Sequence, residues 1–184
     1  GDKLGGQLVK QTHQFFGSQE EDAGTRGIEI AVELIERAKD VGVNVHTNST
    51  VLGYYPEKKL AVEHDNRLEI YDTDGMIYAT GAIENFLAFE NNDLPGVYGA
   101  GGVQTLMNEY GVAPGDKVLM VGSGNVGLIV SYQLIQAGVD VVELVEALPS
   151  IGGYQVHASK LRRAGVPIST KNTIKKALGE ESVE

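Results

Sequence analysis

The chain has 184 residues, 42% hydrophobic and 22% charged, with 24 glycines, no cysteine and a formal net charge of −10. That is enough apolar material for one large or two small packed domains, and the lack of cysteine excludes disulfides, thiolate metal sites and a C-x-x-C redox pair within these residues. The acidic balance argues against a nucleic-acid partner, and no apolar run approaches the roughly 18 residues of a membrane span.

The opening "GDKLGGQLVKQTHQFFGS" is glycine-rich and without period. From Thr25 the spacing of Ile28, Ala31, Ile35 and Ala38, widened by Val32 and Leu34, predicts an amphipathic helix with Thr25 as N-cap and Gly42 as its stop. "VNV" at Val43 to Val45 reads as a short strand. Three strand-like runs follow, Val51–Tyr55, Leu60–His64 and Arg67–Tyr71, separated by the turn residues Pro56-Glu57-Lys58 and Asp65-Asn66. Short links of this kind favour an antiparallel meander. "MIYATGAIEN" is a further expected strand that runs out at Thr80-Gly81.

After an irregular, turn-rich link ending in "NNDLPGV", a helix is expected from near Gly102 to Gly111. The pattern then alternates strictly: a strand at Lys117–Val121, a helix from Asn125 to Gln136, a strand at Val139–Val145, a helix near Gly153–Ala164, and a short strand in "GVPIST". This β-α-β-α-β order belongs to a parallel sheet. The boundary between two domains falls between Pro95 and Ala113, taken as 1–95 and 96–184. The closing "KKALGEESVE" and the basic groups around Lys160 and Lys171 are expected to be solvated.

The run "KVLMVGSGNVGLIV" carries one G-x-G-x-x-G, made of Gly122, Ser123, Gly124, Asn125, Val126 and Gly127. Alone this motif is weak, and its bland reading is a glycine-rich turn with no ligand. Here it follows an apolar strand and opens a helix, with Val126, Ile129, Val130 and Leu134 as the expected core face. Glu146 ends the next strand 19 residues on (127 to 146), where a carboxylate can bond ribose hydroxyls. Gly122 suits the tight turn, Gly124 a close approach to pyrophosphate, and Gly127 close packing of helix on strand. The helix N-terminus supplies free N–H groups to an anion, which lets an acidic chain hold one without lysine. Glu146 points to NAD(H) over NADP, since a carboxylate repels a 2′-phosphate, and replacing it by Arg would be expected to reverse that preference. Glu143 reads as a solvated strand position.

Three stretches are weak singly and specific in order: Gly5-Gly6-Gln7-Leu8, the "YATGA" of Tyr78 to Ala82, and "NNDLPGVYGAGGVQTLMNEYGVAPGDKVLMVGSGNVGL". Together they resemble the FAD- and NAD(P)-dependent pyridine nucleotide oxidoreductases, which carry two dinucleotide-binding domains. The nearest likeness is to the FAD/NAD-binding subunits of amino-acid dehydrogenases and oxidases, of the sarcosine oxidase, proline dehydrogenase and hydrogen cyanide synthase types. The resemblance implies an α/β fold of two incomplete Rossmann-like domains, the first carrying the meander. In that scheme 1–95 is part of an FAD domain and 96–184 part of an NAD(P) domain. It places Gly5, Gly6 and Gln7 in the loop against the flavin, Val51 where backbone meets adenine, and Ala79, Thr80 and Gly81 at the strand end near the flavin.

The resemblance also implies FAD and NAD(H) as cofactors and electron transfer between a nicotinamide or a small substrate such as an amino acid and flavin. The family's first glycine loop and returning FAD segment have no counterpart here, so the chain reads as an internal fragment, inactive alone, that completes itself with a partner subunit or further segments of a parent chain. An exposed half-domain favours association into oligomers. No catalytic acid or base stands out. His13 lies near the flavin loop, where a histidine can carry a proton, but reads as a surface or packing residue, and His46, His64 and His157 are scattered with no ligand spacing, so no metal site is expected. Tyr54, Tyr55, Phe15 and Phe16 read as core or rim residues. No leader sequence is recognised, and a cytoplasmic location is expected. A single-Rossmann NAD-binding dehydrogenase, or a non-catalytic NAD-binding module, is the alternative.

Overall fold

A computed structural model describes residues 1–184 apart from Phe16, whose expected packing role therefore lies outside the described residues. The chain divides into two compact units, Gly1–Val9 with Gln14–Ala82, and Lys10–His13 with Ile83–Glu184.

The first unit contains an α-helix and a three-stranded antiparallel sheet. Helix α1 spans Gly27–Asp40 and buries Gly27, Ile30 and Ala31. Its entry is closed by Arg26, whose N–H donates to the Glu29 carboxylate at 2.9 Å, rather than by Thr25. Val32 and Leu34, expected to widen the core face, are exposed, and Ile30 takes their place. Gly42, with φ +78°, lies in the turn that follows.

Strands β1 (Ser49–Tyr55), β2 (Lys59–His64) and β3 (Arg67–Asp72) form the meander in that order. Asp65 and Asn66, at φ +49° and +59°, make the two-residue hairpin turn that needs both central residues left-handed. A bulge between Val51 and Gly53 leaves Leu52 without a register partner on β2. Two expected strands are not strands. Val43–Val45 and the run from Met76 carry no regular structure and pair with no strand among the described residues, with Ile77 90% exposed. An apolar run favours extended backbone, but a strand exists only where a neighbour completes its hydrogen bonds.

The second unit carries a parallel sheet, β4 (Lys117–Val121), β5 (Asp140–Glu146) and β6 (Ile168–Thr170), paired in chain order. Helix α3 (Asn125–Gln136) connects β4 to β5 and α4 (Gln155–Arg163) connects β5 to β6; α2 (Ala100–Tyr110) packs on α3. The core gathers Val103, Met120, Leu128, Leu134, Leu144 and Leu161 with their neighbours. Helix α3 buries Leu128 completely and leaves Val126 exposed, against the expected face. The helix is apolar on most sides, so periodicity alone does not choose which side turns inward.

Contacts distant in sequence complete this unit. Glu84 caps α2, its two carboxylate oxygens each accepting an N–H at 2.9 Å, from Ala100 and Gly101. Asn91 Nδ2 donates to the Ala177 carbonyl at 3.1 Å, and Ala177 N–H to the Glu90 carbonyl at 3.0 Å. Segment 83–95 thus sits in the second compact unit. The closing residues, expected to be solvated, are in part built in: Ala177 is buried, and Val183 N–H donates to the Pro95 carbonyl at 2.8 Å.

Residues Lys10–His13 are held by polar bonds. Lys10 Nζ donates to Thr105 Oγ1 at 2.9 Å, Asn108 Nδ2 to the Lys10 carbonyl at 2.6 Å, and Gln133 Nε2 to Thr12 Oγ1 at 3.0 Å. His13 lies among Leu128, Tyr132, His157 and Lys160, and Lys160 stands over the Tyr132 ring at 5.4 Å. Burial, reinforced by His157 and Lys160, pushes His13 below the ordinary 6.5; burial and Lys160 do the same to His157. The folded state therefore binds fewer protons than the unfolded chain, and this stability is present above 6.5 and is lost as pH falls below it. The melting temperature should drop as pH falls below about 6.5, and His157→Gln should flatten that drop. An unchanged slope in the variant would show that this pair does not carry the pH dependence.

Candidate functional site

The site grows from the end of β4. Gly122 continues the ladder by donating its N–H to the Val145 carbonyl at 2.8 Å, then turns the chain at φ +99°. A side chain is excluded at Gly127 by packing: its Cβ would overlap the Gly122 carbonyl oxygen. At Gly124 the opposite holds, since a Cβ there would meet nothing within 4 Å. Gly124 is the N-cap of α3, whose first intrahelical bond is from Leu128 N–H to the Gly124 carbonyl at 3.1 Å. The N–H groups of the first turn, at Asn125, Val126 and Gly127, are the ones a helix leaves for an anion. No acidic residue stands in that turn. The turn thus joins open space to a positive helix end, which is what a pyrophosphate requires.

Glu146 closes β5 and is brought to the glycine turn. Its Oε2 accepts both the Ser123 N–H, at 2.9 Å, and the Ser123 hydroxyl; its Oε1 accepts the Leu148 N–H at 2.8 Å. These bonds, led by the Ser123 hydroxyl, hold the carboxyl below the usual carboxylate range and outweigh the burial that leaves it 9% exposed. Glu143 is half-buried, not solvated, and accepts a hydrogen bond from Ser169 across β5 and β6.

Three site residues escaped the sequence reading. Gly152 N–H donates to Ser123 Oγ at 3.0 Å, Gly153 N–H to the Ser123 carbonyl at 2.8 Å, and Tyr154 N–H to Asn125 Oδ1 at 2.8 Å. Three successive N–H groups therefore clip the turn after β5 onto the fingerprint. A Cβ on Gly153 would lie 2.8 Å from the Asn125 nitrogen and 2.7 Å from Leu128 Cδ1, so only glycine packs there without a shift. The signal was a glycine pair shortly after Glu146, of the same kind as Gly5-Gly6.

The first unit distributes its candidates over separate elements. Gly5, at φ +111°, packs on α1, where its Cβ would approach Ala31 and Ile35 at 3.4 and 3.8 Å. Gly6 and Gln7 are exposed in a short turn of 3₁₀ helix, Gly6–Lys10. Val51 is exposed on β1 opposite Val62. Ala79, Thr80 and Gly81 lie exposed outside any helix or strand, Gly81 at φ +76°. Among the described residues no group of three or more His, Asp or Glu side chains could hold a metal, and no helix is long and apolar enough to cross a membrane.

The profile of the pyridine nucleotide-disulphide oxidoreductase family matches residues 9–184. The sarcosine oxidase subunit alpha of Rhizobium meliloti is 39% identical over 95 residues, which is 52% of this chain and 10% of that protein. The hydrogen cyanide synthase subunit HcnB of Pseudomonas aeruginosa is 31% identical over 105 residues, covering 57% of this chain and 23% of that one. The chain thus spans a small part of the length of these curated relatives. Among solved structures, T. acidophilum thioredoxin reductase superposes with a TM-score of 0.73 at 16% identity, covering 97% of this chain and 57% of its own. The L-proline dehydrogenase of P. horikoshii gives 0.62 at 23% identity, covering 100% and 31%. At such identities the superpositions speak for the fold, an α/β architecture with one antiparallel and one parallel three-stranded sheet. With its glycine turn, its following acid and a family match over residues 9–184, the chain belongs to the pyridine nucleotide-disulphide oxidoreductase family.

Proposed function

We propose that the chain is the nucleotide-handling part of a flavin-dependent oxidoreductase, with 1–95 contributing to an FAD domain and 96–184 to an NAD(H) domain. One observation carries the reading: the open Gly124 turn at the N-terminus of α3, faced by the anchored carboxylate of Glu146. Gly122, Ser123, Gly124, Asn125, Val126 and Gly127 form the pyrophosphate turn, and Glu146 takes the adenosine ribose. Charge at Glu146 favours NAD(H) over NADP(H). When bound, NAD(H) supplies a two-electron hydride donor or acceptor for the flavin. Gly5, Gly6, Gln7, Val51, Ala79, Thr80 and Gly81 are the proposed flavin-side contacts. Gly6 and Gly81, where an added Cβ meets nothing within 4 Å, leave room for a flat ring.

The chain has no cysteine, so no thiol–disulfide step runs on its own residues. The substrate is proposed to be a small organic molecule such as an amino acid. The relatives' names include the word subunit, which supports a partner subunit here, and association into an oligomer. Nothing in the fold favours a single-Rossmann dehydrogenase over this reading.

Titration of the chain with NADH, followed by nucleotide fluorescence, tests the second unit. Saturable binding that is competed by NAD and less well by NADP is expected. A parent protein that takes up no FAD on reconstitution and stays colourless would refute the flavin assignment.

A further inference from the structure

We propose that Ser123 is a positioning residue for nucleotide selection, holding the Glu146 carboxylate and the Gly152-Gly153 turn in the geometry that accepts an adenosine ribose diol. The inference rests on the NAD(H) reading of this turn and goes beyond it, because it assigns to Ser123 a role other than touching the nucleotide.

Ser123 is 0% exposed, although it stands in the middle of a ligand-binding motif. Each of its polar groups is already used inside the protein. The hydroxyl donates to Glu146 Oε2 and accepts the Gly152 N–H at 3.0 Å. The backbone N–H donates to the same Oε2 at 2.9 Å, and the carbonyl accepts the Gly153 N–H at 2.8 Å. A serine so committed offers a nucleotide little. What it does is join three parts of the site that are distant in sequence: the fingerprint, the acid, and the turn that follows the acid.

The consequence falls on Glu146. A carboxylate on a free side chain must be ordered when a diol binds, and that ordering costs affinity. Here two donors from Ser123 and the Leu148 N–H fix both oxygens in advance. The Leu148 N–H takes one of two lone pairs on Oε1, so that oxygen keeps acceptor capacity for a ribose hydroxyl. The same bonds hold the group ionised, with the Ser123 hydroxyl the largest cause. A 2′-phosphate would then meet a charge that can neither swing away nor readily take a proton.

The test measures dissociation constants for NADH, its 2′-deoxyadenosine analogue and NADPH on the full chain, for wild type, Ser123→Ala, Glu146→Gln and the double variant. Wild type should prefer NADH over both analogues. Ser123→Ala should weaken NADH about tenfold, as for loss of a hydrogen bond to a charged group, and narrow both preferences. In the Glu146→Gln background the same change should alter neither preference, because Ser123 acts through the carboxylate. A merely structural serine would weaken all three ligands equally in both backgrounds, and that result overturns the proposal. If Ser123→Ala does not fold, Ser123→Cys, which keeps a weak donor, should give an intermediate preference; wild-type preference in that variant counts against the proposal. Wild-type affinity for NAD, which survives acid where NADH does not, should also hold as pH falls to the ordinary carboxylate value of 4.5 and decline only below it. A fall centred near the ordinary 4.5 would mean that the carboxyl is not held ionised. Failure of wild type to bind NADH refutes the site itself, whereas binding with Ser123→Ala indistinguishable from wild type overturns only the role of Ser123.

Discussion

Gly127→Ala should destabilise the chain by about 3 kcal/mol and lower its melting temperature by roughly 10 °C. The cause is local and severe. The added methyl would overlap the Gly122 carbonyl oxygen and press on the Gly122 carbonyl carbon, which are backbone atoms and cannot rotate away. Relief requires α3 to move off β4, and α3 carries Leu128, Val130 and Leu134, all fully buried. The glycine turn would open as it moves, so NADH affinity should fall with stability. Gly124→Ala provides the contrast. Its methyl meets nothing in the protein, so stability should change by less than about 1 kcal/mol while ligand binding is impaired by the filled space. Urea unfolding of both variants beside NADH titration separates the two effects. Equal stabilities for Gly127→Ala and wild type would show that helix and strand are not packed as described.

Glu146→Arg should cost about 3–5 kcal/mol instead of simply exchanging NADH for NADPH. The sequence alone suggests a preference switch, because an acid is replaced by a base beside a ribose. The tertiary structure changes the expectation. The Ser123 N–H, the Ser123 hydroxyl and the Leu148 N–H all donate to this carboxylate, and Arg has no acceptor to offer them. Three donors would face a cation in a site only 9% exposed. Chemical denaturation and NADPH titration of this variant read the outcome. An arginine variant as stable as wild type, and binding NADPH well, would show that the carboxylate is not anchored. A preference switch therefore requires changing Ser123 together with Glu146.

Several elements were legible before any coordinates. The Lys117–Val121 strand, the Asn125–Gln136 helix and the three meander runs stand close to where turn residues and apolar spacing put them. Each is a local pattern: two- or four-residue periodicity, a glycine at a turn, a polar hairpin pair. The fingerprint and its distance to Glu146 were legible for the same reason, since one helix and one strand of ordinary length separate them. Failures had a shared cause as well. Val43–Val45 has strand composition but no ladder among the described residues. Val126 and Leu128 are both apolar, and only packing decides that Leu128 faces inward.

The sequence by itself determined the parallel β-α-β-α-β order, the antiparallel meander, the glycine turn and the acid that follows it, because these arise from preferences acting over a few residues. Only the tertiary structure decided that Ser123 anchors Glu146, that Gly152 and Gly153 dock on the fingerprint, and that Thr12 bonds Gln133 while Asn91 bonds Ala177. Those partners are remote along the chain. A hydrogen-bonding group selects among all donors and acceptors that packing brings near it, and that set does not exist until the core has closed.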